Sequence, residues 1–308
     1  MKPSAYGPFP YSPIIERPRL AWPNGARLAF WVIPNIEFFA LDDSVPAAAG
    51  GAGVKPPDVP TWATRDYGNR VGVFRLMQVM ERYGVRGTVA LNSQVCARHP
   101  AIIAAGQKLG WEWMGHNETN TRRLNAVPPE EEQRIIRDAL GEVTRATGVR
   151  PKGWLGSGLQ ETWNTLEHLV ENGIEYVCDW VNDDQPYVMS LDGGRRIVAM
   201  PYSHDINDKP AFEHMRLTAA EFQEMICRQF DTLYREGAEN GRVMCLSLHP
   251  HNIGRPNAAR HLDEALRYIL GHDGVWATTA DDIAEYYLAN YYDLVKSWIA
   301  ERKTRVSE

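Results

Sequence analysis

Several features that mark other protein classes are missing from this 308-residue sequence. Lysine and arginine (33) do not outnumber aspartate and glutamate (39), and the net charge of −6 argues against nucleic acid as the main partner. The four cysteines lie far apart without Cys-x-x-Cys spacing, which favours buried free thiols over a disulfide framework. No apolar run approaches the ~20 residues of a membrane span, and residues 1–6 lack the apolar segment of a signal peptide. We therefore predict a cytoplasmic protein that binds neither membranes nor nucleic acids.

Alternating apolar runs and amphipathic segments dominate the rest of the chain. Residues 27–33 form a near-continuous apolar run, typical of a strand buried on both faces. Residues 73–80 have helical spacing and precede a glycine that ends the helix, Gly84. Further strands are predicted at 87–92, 111–114, near 154, and at 175–178, 197–200, 243–248 and 274–277, and further helices at 100–109, 128–148, before 172, and at 218–236, 258–271 and 281–300. About seven strand–helix units predict an α/β fold with a parallel sheet that closes, or nearly closes, into a barrel.

No change of composition marks a domain boundary, so we predict one domain over residues 1–308. The proline- and aromatic-rich residues 1–26 are expected to wrap the surface in extended form. The 40–65 segment contains a run of alanine and glycine at 47–53 and is expected to be a long loop beside the site.

Polar side chains follow three of the predicted strands. Asn35 and Glu37 come at the end of the first strand, His116 follows the strand at 111–114, and His249 follows the strand at 243–248. Because α/β folds build active sites at the carboxyl ends of parallel strands, we expect these side chains to share one pocket. Glu37, His116 and His249 can act as general base, general acid and positioning group in a hydrolysis. Glu37 and His116 can instead hold a divalent metal such as zinc, with an open position for water.

The order of motifs along the chain resembles that of a known family. An acidic motif after the first strand is followed by a Gly-His loop, by Arg150-Pro151-Lys152-Gly153-Trp154, by Asp179-Trp180 with Asp183-Asp184-Gln185-Pro186-Tyr187, and by Leu246-Ser247-Leu248-His249. This succession resembles the polysaccharide-deacetylase superfamily, also called NodB-homology or carbohydrate esterase family 4 proteins. The stretches at 67–70, 201–208 and 249–256 resemble its allantoinase-like, cyclic-imide-hydrolase-like branch. The resemblance covers about residues 20–290 and implies a distorted (β/α)7 barrel of the polysaccharide-deacetylase type.

Two departures from the family pattern bear on the chemistry. Zinc-dependent deacetylases carry two aspartates in the first motif and two histidines spaced by four in the second. This chain has Asn35 and Glu37 in the first, and His116 followed by Asn120 in the second. Metal-independent relatives similar to allantoinase share this pattern. The resemblance therefore implies hydrolysis of a carbon–nitrogen amide bond in a small cyclic amide, imide or ureide, without a cofactor.

The trio of Glu37, His116 and His249 also suggests individual roles. Glu37, with a pKa raised by burial, would activate water, His249 would protonate the leaving nitrogen or stabilise the oxyanion, and His116 would orient substrate or water. The predicted substrate-binding residues are Trp154 and Tyr187 as pocket walls, Asn35 and Asn120 as donors to a carbonyl oxygen, His251 as a site neighbour, and Arg255 as a partner for a substrate carboxylate. Two alternatives stay open: a zinc-dependent deacetylase of an N-acetylated sugar or polysaccharide, and a non-catalytic ligand-binding barrel. Family relatives often form tetramers, so a homo-oligomer is expected.

Overall fold

A computed structural model describes residues 4–44 and 54–306. Residues 45–53, which include the whole Ala/Gly run at 47–53, lie outside the described residues. The strands within the described ranges are β1 Leu28–Ile36, β2 Thr88–Leu91, β3 Glu112–Gly115, β4 Gly153–Trp154, β5 Tyr176–Val177, β6 Tyr187–Val188, β7 Val198–Ala199, β8 Arg242–Leu248 and β9 Val275–Ala277. The α-helices are α1 Val59–Tyr67, α2 Val73–Glu81, α3 Ser93–Arg98, α4 Pro100–Lys108, α5 Pro129–Thr147, α6 Thr165–Glu171, α7 Ala219–Glu236, α8 Pro256–Leu270, α9 Ala280–Asn290 and α10 Tyr292–Val306.

Eight of these strands run parallel, and seven of them form the spatial order β8-β1-β2-β3-β4-β5-β7. β6 lies antiparallel against β7, and β9 pairs with the first residues of β1. No pairing joins β7 to β8 in the described part of the chain. On the side of β8 that faces β7, the N–H groups of Val243 and Ser247 instead donate hydrogen bonds to the carbonyls of Asp184 and Ile206. The sheet is therefore a curled, open barrel, and the predicted distorted (β/α)7 fold is confirmed.

The central strand β1 explains how the layers form. All nine of its residues are buried, and their side chains alternate between two clusters. Leu28, Phe30 and Val32 pack outward with residues of α2, α7 and α8, while Trp31 and Ile33 pack inward with residues of the other strands. A parallel strand covered on both faces must be apolar throughout, which is the pattern that its sequence shows.

Three helical segments differ from the sequence expectation. α1 begins inside the predicted 40–65 loop, because Asp58 caps it by accepting a hydrogen bond from Thr61 N at 3.3 Å. α3 was not predicted, and its six residues are too few for a periodic pattern to show. The predicted closing helix at 281–300 is interrupted at Tyr291, where α9 ends and α10 follows.

The N-terminal residues 4–26 form little regular structure apart from a 3-10 turn at Pro23–Gly25. Arg17 donates to Asp183 Oδ1 at 2.8 Å, and Trp22 Nε1 donates to the carbonyl of Arg242 at 2.8 Å. All four cysteines are free thiols. Within 4–44 and 54–306, none of the helices is both long and apolar enough to cross a bilayer.

Candidate active site

The three central side chains of the site each follow directly on the carboxyl end of a parallel strand. Glu37 follows β1, His116 follows β3, and His249 follows β8. These strands lie within one run of four neighbours, β8-β1-β2-β3, so their carboxyl ends open on the same edge of the sheet. The register of the sheet thus brings together residues that are up to 212 positions apart.

The carboxylate of Glu37 stands between the two imidazoles. Its Oε1 lies 3.8 Å from His116 Nε2 and 3.6 Å from His249 Nε2. Asn120 Nδ2 donates a hydrogen bond to the same oxygen. Glu37 Oε2 and His116 Nε2 are buried and have no hydrogen-bond partner among the described residues. Two polar atoms without partners at the centre of a buried site are available for substrate or water.

The protonation of Glu37 differs from the sequence expectation. Burial raises its pKa, but the charges of Lys209 and His249, together with the His249 N–H that faces it, outweigh burial and hold the pKa well below its usual value. The prediction of a raised pKa was therefore wrong, because it took account of desolvation and not of the surrounding cations. Glu37 is ionised at neutral pH and able to accept a proton.

His249 is paired with a buried carboxylate, that of Asp208. Its Nδ1 lies 2.7 Å from Asp208 Oδ1, and the same carboxylate accepts hydrogen bonds from the backbone N–H of His249 at 2.9 Å and of Ile253 at 3.0 Å. Burial lowers the pKa of His249. The charges of Asp208 and Glu37 raise it by more than burial lowers it, so that the pKa is about 9. His249 is therefore an imidazolium at neutral pH, with Nε2–H directed toward Glu37.

His116 is held in a different way. Its Nδ1 lies 2.6 Å from the carbonyl oxygen of Leu155, the residue that follows β4. A carbonyl only accepts hydrogen bonds, so Nδ1 carries a proton and the lone pair of the neutral ring is on Nε2. The loop is supported by Asn92, whose Nδ2 donates to the carbonyl of His116 and whose Oδ1 accepts from Phe38 N at 2.8 Å.

These residues open into a cavity of about 330 Å³. It is lined by Glu37, His116, His249, Asn35 and Asn120, by the apolar Phe39, Leu155 and Leu159, by Tyr202, and by the charged Arg65, Arg123, Lys209 and Glu213. This volume is at the lower end of the range for small-molecule sites. Asn35 directs its amide N–H groups to Ser247 Oγ at 3.0 Å and Leu248 O at 3.3 Å, so they are not free for a substrate carbonyl. The donor role of Asn120 stays a prediction.

Two predicted pocket walls lie elsewhere. The Trp154 side chain is fully buried and packs behind β3, where a Cβ on Gly115 would come within 2.5 Å of its ring. It is a core residue because the strand pleat turns it away from the barrel interior. Tyr187 donates to Asn182 Oδ1 at 2.8 Å and contacts Phe9 of the N-terminal segment, and it lines a separate surface pocket. The assignment of both residues as walls of the site was wrong.

His251 and Arg255 also lie outside the wall of the cavity. The buried His251 places Nε2 3.4 Å from Oε1 of Glu213, which does line the cavity, and its pKa is lowered to about 4, chiefly by burial. Arg255 lies over the Tyr67 ring, 4.3 Å from its centroid, and donates to the carbonyl of His251 at 3.0 Å. Arg255 is therefore engaged at the start of α8, and its prediction as a substrate-carboxylate partner is not supported by this placement.

Sequence reasoning missed several residues of the site. Asp208 belongs to the 201–208 motif that carries part of the family resemblance, and its position beside His249 could have been suspected from that motif. Lys209 adjoins it. Arg65 lies in a segment that was expected to be a loop, so no periodic signal drew attention to it.

The side chains here do not make up a three-ligand zinc site. His116 Nε2 and Glu37 are suitable donors, but Asn120 stands where the second histidine of zinc-dependent relatives is expected and donates an N–H to Glu37 Oε1. His249 Nε2 carries a proton at neutral pH, given its raised pKa of about 9. In the described ranges no group of three or more His, Cys, Asp or Glu is arranged to hold a metal ion. We derive no step of the reaction through a metal.

With the geometry established, comparison with known proteins identifies similar chains. No family model matches the sequence. A putative polysaccharide deacetylase of Schizosaccharomyces pombe is 24% identical over 298 residues, which cover 88% of this chain and 93% of the relative. The crystal structure of a probable polysaccharide deacetylase from Pseudomonas aeruginosa PAO1 has a TM-score of 0.79 at 27% identity, covering 89% of this chain and 95% of that one. The crystal structure of PuuE allantoinase has a TM-score of 0.80 at 26% identity, with coverages of 89% and 94%.

These similarities confirm the predicted relationship to the polysaccharide-deacetylase superfamily, with an allantoinase among the similar structures. The predicted enzyme class is confirmed as well, because deacetylases and allantoinases are hydrolases of carbon–nitrogen bonds other than peptide bonds.

Proposed function

We propose that this protein hydrolyses the carbon–nitrogen bond of a small cyclic amide, imide or ureide. The observation that carries the proposal is the ionised Glu37 placed between the imidazolium of His249 and Nε2 of His116, inside a cavity of about 330 Å³. A cavity of this size accommodates a five- or six-membered ring with a short substituent, whereas a polymer needs an open groove. The similarity to PuuE allantoinase supports the same conclusion.

The reaction can be assigned to these side chains step by step. Glu37 removes a proton from water while the water oxygen forms a bond to the carbonyl carbon. The imidazolium of His249 donates its Nε2 proton to the ring nitrogen as the carbon–nitrogen bond breaks. The proton held by Glu37 then passes to His249 Nε2, 3.6 Å away in the resting site, which restores both groups. His116 offers its Nε2 lone pair to position the attacking water.

The low pKa of Glu37 limits its strength as a base but keeps it ionised, and Asp208 fixes the acid. Glu37 and His249 therefore have opposite tasks. The charge of Lys209 lowers the pKa of Glu37 and keeps it a base, whereas the charge of Asp208 raises the pKa of His249 and keeps it an acid.

The largest loss of activity is expected for Glu37→Gln, which keeps the shape of the side chain and removes the base. We expect kcat to fall by about 10²- to 10⁴-fold on hydantoin, allantoin or succinimide, with an unchanged circular dichroism spectrum. Glu112→Gln is the matched control: Glu112 is half-buried at the opposite end of the barrel strand β3, where desolvation and nearby Asp281 raise its pKa to about 7. That control should retain activity.

The metal content of the purified protein should be measured alongside this ring panel and an N-acetylglucosamine oligomer. Ring opening that survives chelator treatment supports the proposal. Release of acetate from the oligomer, with no ring opening and with loss of turnover on removal of zinc, would instead establish the deacetylase alternative.

A further inference from the structure

The part of the cavity beyond Glu37 carries a positive charge that the protein itself does not balance. Arg65, on α1, lines the cavity, and its side chain is only 13% exposed. Its Nε and Nη1 are buried without hydrogen-bond partners among residues 4–44 and 54–306. A buried guanidinium is normally satisfied by carboxylates or carbonyls, because its desolvation is costly otherwise.

Glu213 does not supply the missing partner. Its Oε2 is 4.0 Å from Arg65 Nη2, well beyond the 2.7–2.9 Å of a charge-assisted hydrogen bond. Its other oxygen is shared between His251 Nε2 at 3.4 Å and Asn252 Nδ2 at 3.2 Å. Glu213 is thus divided among three weak contacts, and Arg65 Nε and Nη1 are left without an anionic partner.

A second cation lies near the same aromatic ring as Arg65. Arg65 is stacked on the ring of Phe39, 4.2 Å from its centroid, and Lys209 Nζ lies 5.9 Å from the same centroid. Lys209 forms no ion pair within 4.0 Å to any described residue, yet its charge is close enough to lower the pKa of Glu37. Arg65 and Lys209 line the same cavity as the catalytic carboxylate of Glu37.

The charge of the whole cavity agrees with this local picture. Apart from histidines, its lining has three cationic side chains, Arg65, Arg123 and Lys209, against two carboxylates, Glu37 and Glu213. This excess of positive charge occurs in a protein whose net charge is −6. An electropositive cavity in an acidic protein selects anionic ligands over neutral ones.

From these observations we propose that the substrate carries a carboxylate, which the Arg65 guanidinium and the Lys209 ammonium bind across the Phe39 ring. The substrate class is then a cyclic ureide or imide with an acidic substituent. This inference rests on the proposed function and narrows its substrate.

The test compares two rings of equal size that differ only in charge: hydantoin-5-acetate and its neutral amide, hydantoin-5-acetamide. We expect kcat/KM to favour the acid by about 10- to 100-fold, the range for a hydrogen bond to a charged group. Arg65→Met should remove most of this preference, because kcat/KM for the acid should fall by about 10- to 100-fold more than kcat/KM for the amide, while Arg65→Lys should retain part of it.

Arg70→Met is the matched control. Arg70 follows α1 closely, but its side chain is 74% exposed and paired with Asp66 at 3.8 Å, outside the cavity. Arg70→Met should alter kcat/KM for neither the acid nor the amide. Equal values for acid and amide in the native protein, or an equal loss on both in Arg65→Met, would overturn the inference while leaving ring hydrolysis intact. Thermal midpoints of the variants verify that each is folded.

Binding separates failure of this inference from failure of the proposed function. If neither ring is opened, calorimetry with Glu37→Gln and hydantoin-5-acetate still measures the anion site. Binding that exceeds that of the amide and is lost in the Glu37→Gln, Arg65→Met double variant supports the site without any turnover. Binding of the acid that is absent, or no tighter than that of the amide, counts against it.

Discussion

The two histidines of the site share their residue type, their burial and their neighbour Glu37, yet they are supported by different groups. His249 is backed by the carboxylate of Asp208 at 2.7 Å, whereas His116 is backed by the carbonyl of Leu155 at 2.6 Å. The carboxylate brings a negative charge, which raises the pKa of His249 to about 9 after the cost of burial. The carbonyl brings no net charge and only fixes which nitrogen of His116 bears the proton. The group that supports each ring thus decides its role: Asp208 makes His249 the acid, and the Leu155 carbonyl leaves the Nε2 lone pair of His116 facing the site.

Removal of the Asp208 charge beside His249 should have the largest effect on the difference between the two histidines. Asp208→Asn should lower kcat/KM by about 10²- to 10⁴-fold at neutral pH, since the imidazolium loses its counter-charge and its orientation. In the native enzyme, activity that needs the imidazolium should fall as pH rises through about 9. In the variant this alkaline limb should move to lower pH. A pH–rate profile with an unmoved alkaline limb would contradict the role of Asp208 as the group that sets the charge.

The charge of His249 should also be visible in the pH dependence of the free energy of unfolding. The folded-state pKa of His249 is above its unfolded value of 6.5, so its contribution is fully present below pH 6.5 and is lost as pH rises toward 9. We expect the free energy of unfolding to decrease by roughly 2–3 kcal/mol over that window from this group. Urea denaturation at pH 6, 7.5 and 9 should show a smaller decrease in His249→Gln. An identical slope in both proteins would mean that His249 is not charged in the folded state.

The smallest expected effect concerns the His116 side. Asn92→Ala removes the amide that links the carbonyl of His116 to Phe38 N, so this loop loses two hydrogen bonds. We expect about 1–3 kcal/mol of destabilisation and a fall in kcat/KM of about tenfold. Unlike Asp208→Asn, it should leave the alkaline limb of the pH profile in place, because no charge is removed. A shift of that limb would show that the two sides are not independent.

The sequence by itself determined the barrel and the residues at its edge. A strand buried on both faces must be apolar throughout, so β1 and β8 were readable as continuous runs, and the parallel repeat required their polar successors Glu37 and His249 to share an edge. The same reasoning found His116. These features depend on local periodicity and on the direction of parallel strands, which the order of residues contains.

Only the tertiary structure decided what each of these groups can do. Asp208 lies 41 residues from His249, Leu155 lies 39 residues from His116, and Lys209 lies 172 residues from Glu37. No local pattern encodes such pairings, although they set the charge of His249, the tautomer of His116 and the low pKa of Glu37. The pleat of a two-residue strand likewise turned Trp154 into the core, and the capped helix α1 placed Arg65 on the cavity instead of Arg255. Proton affinity depends on charges within a few ångströms in space, and the sequence specifies those distances only through the complete fold.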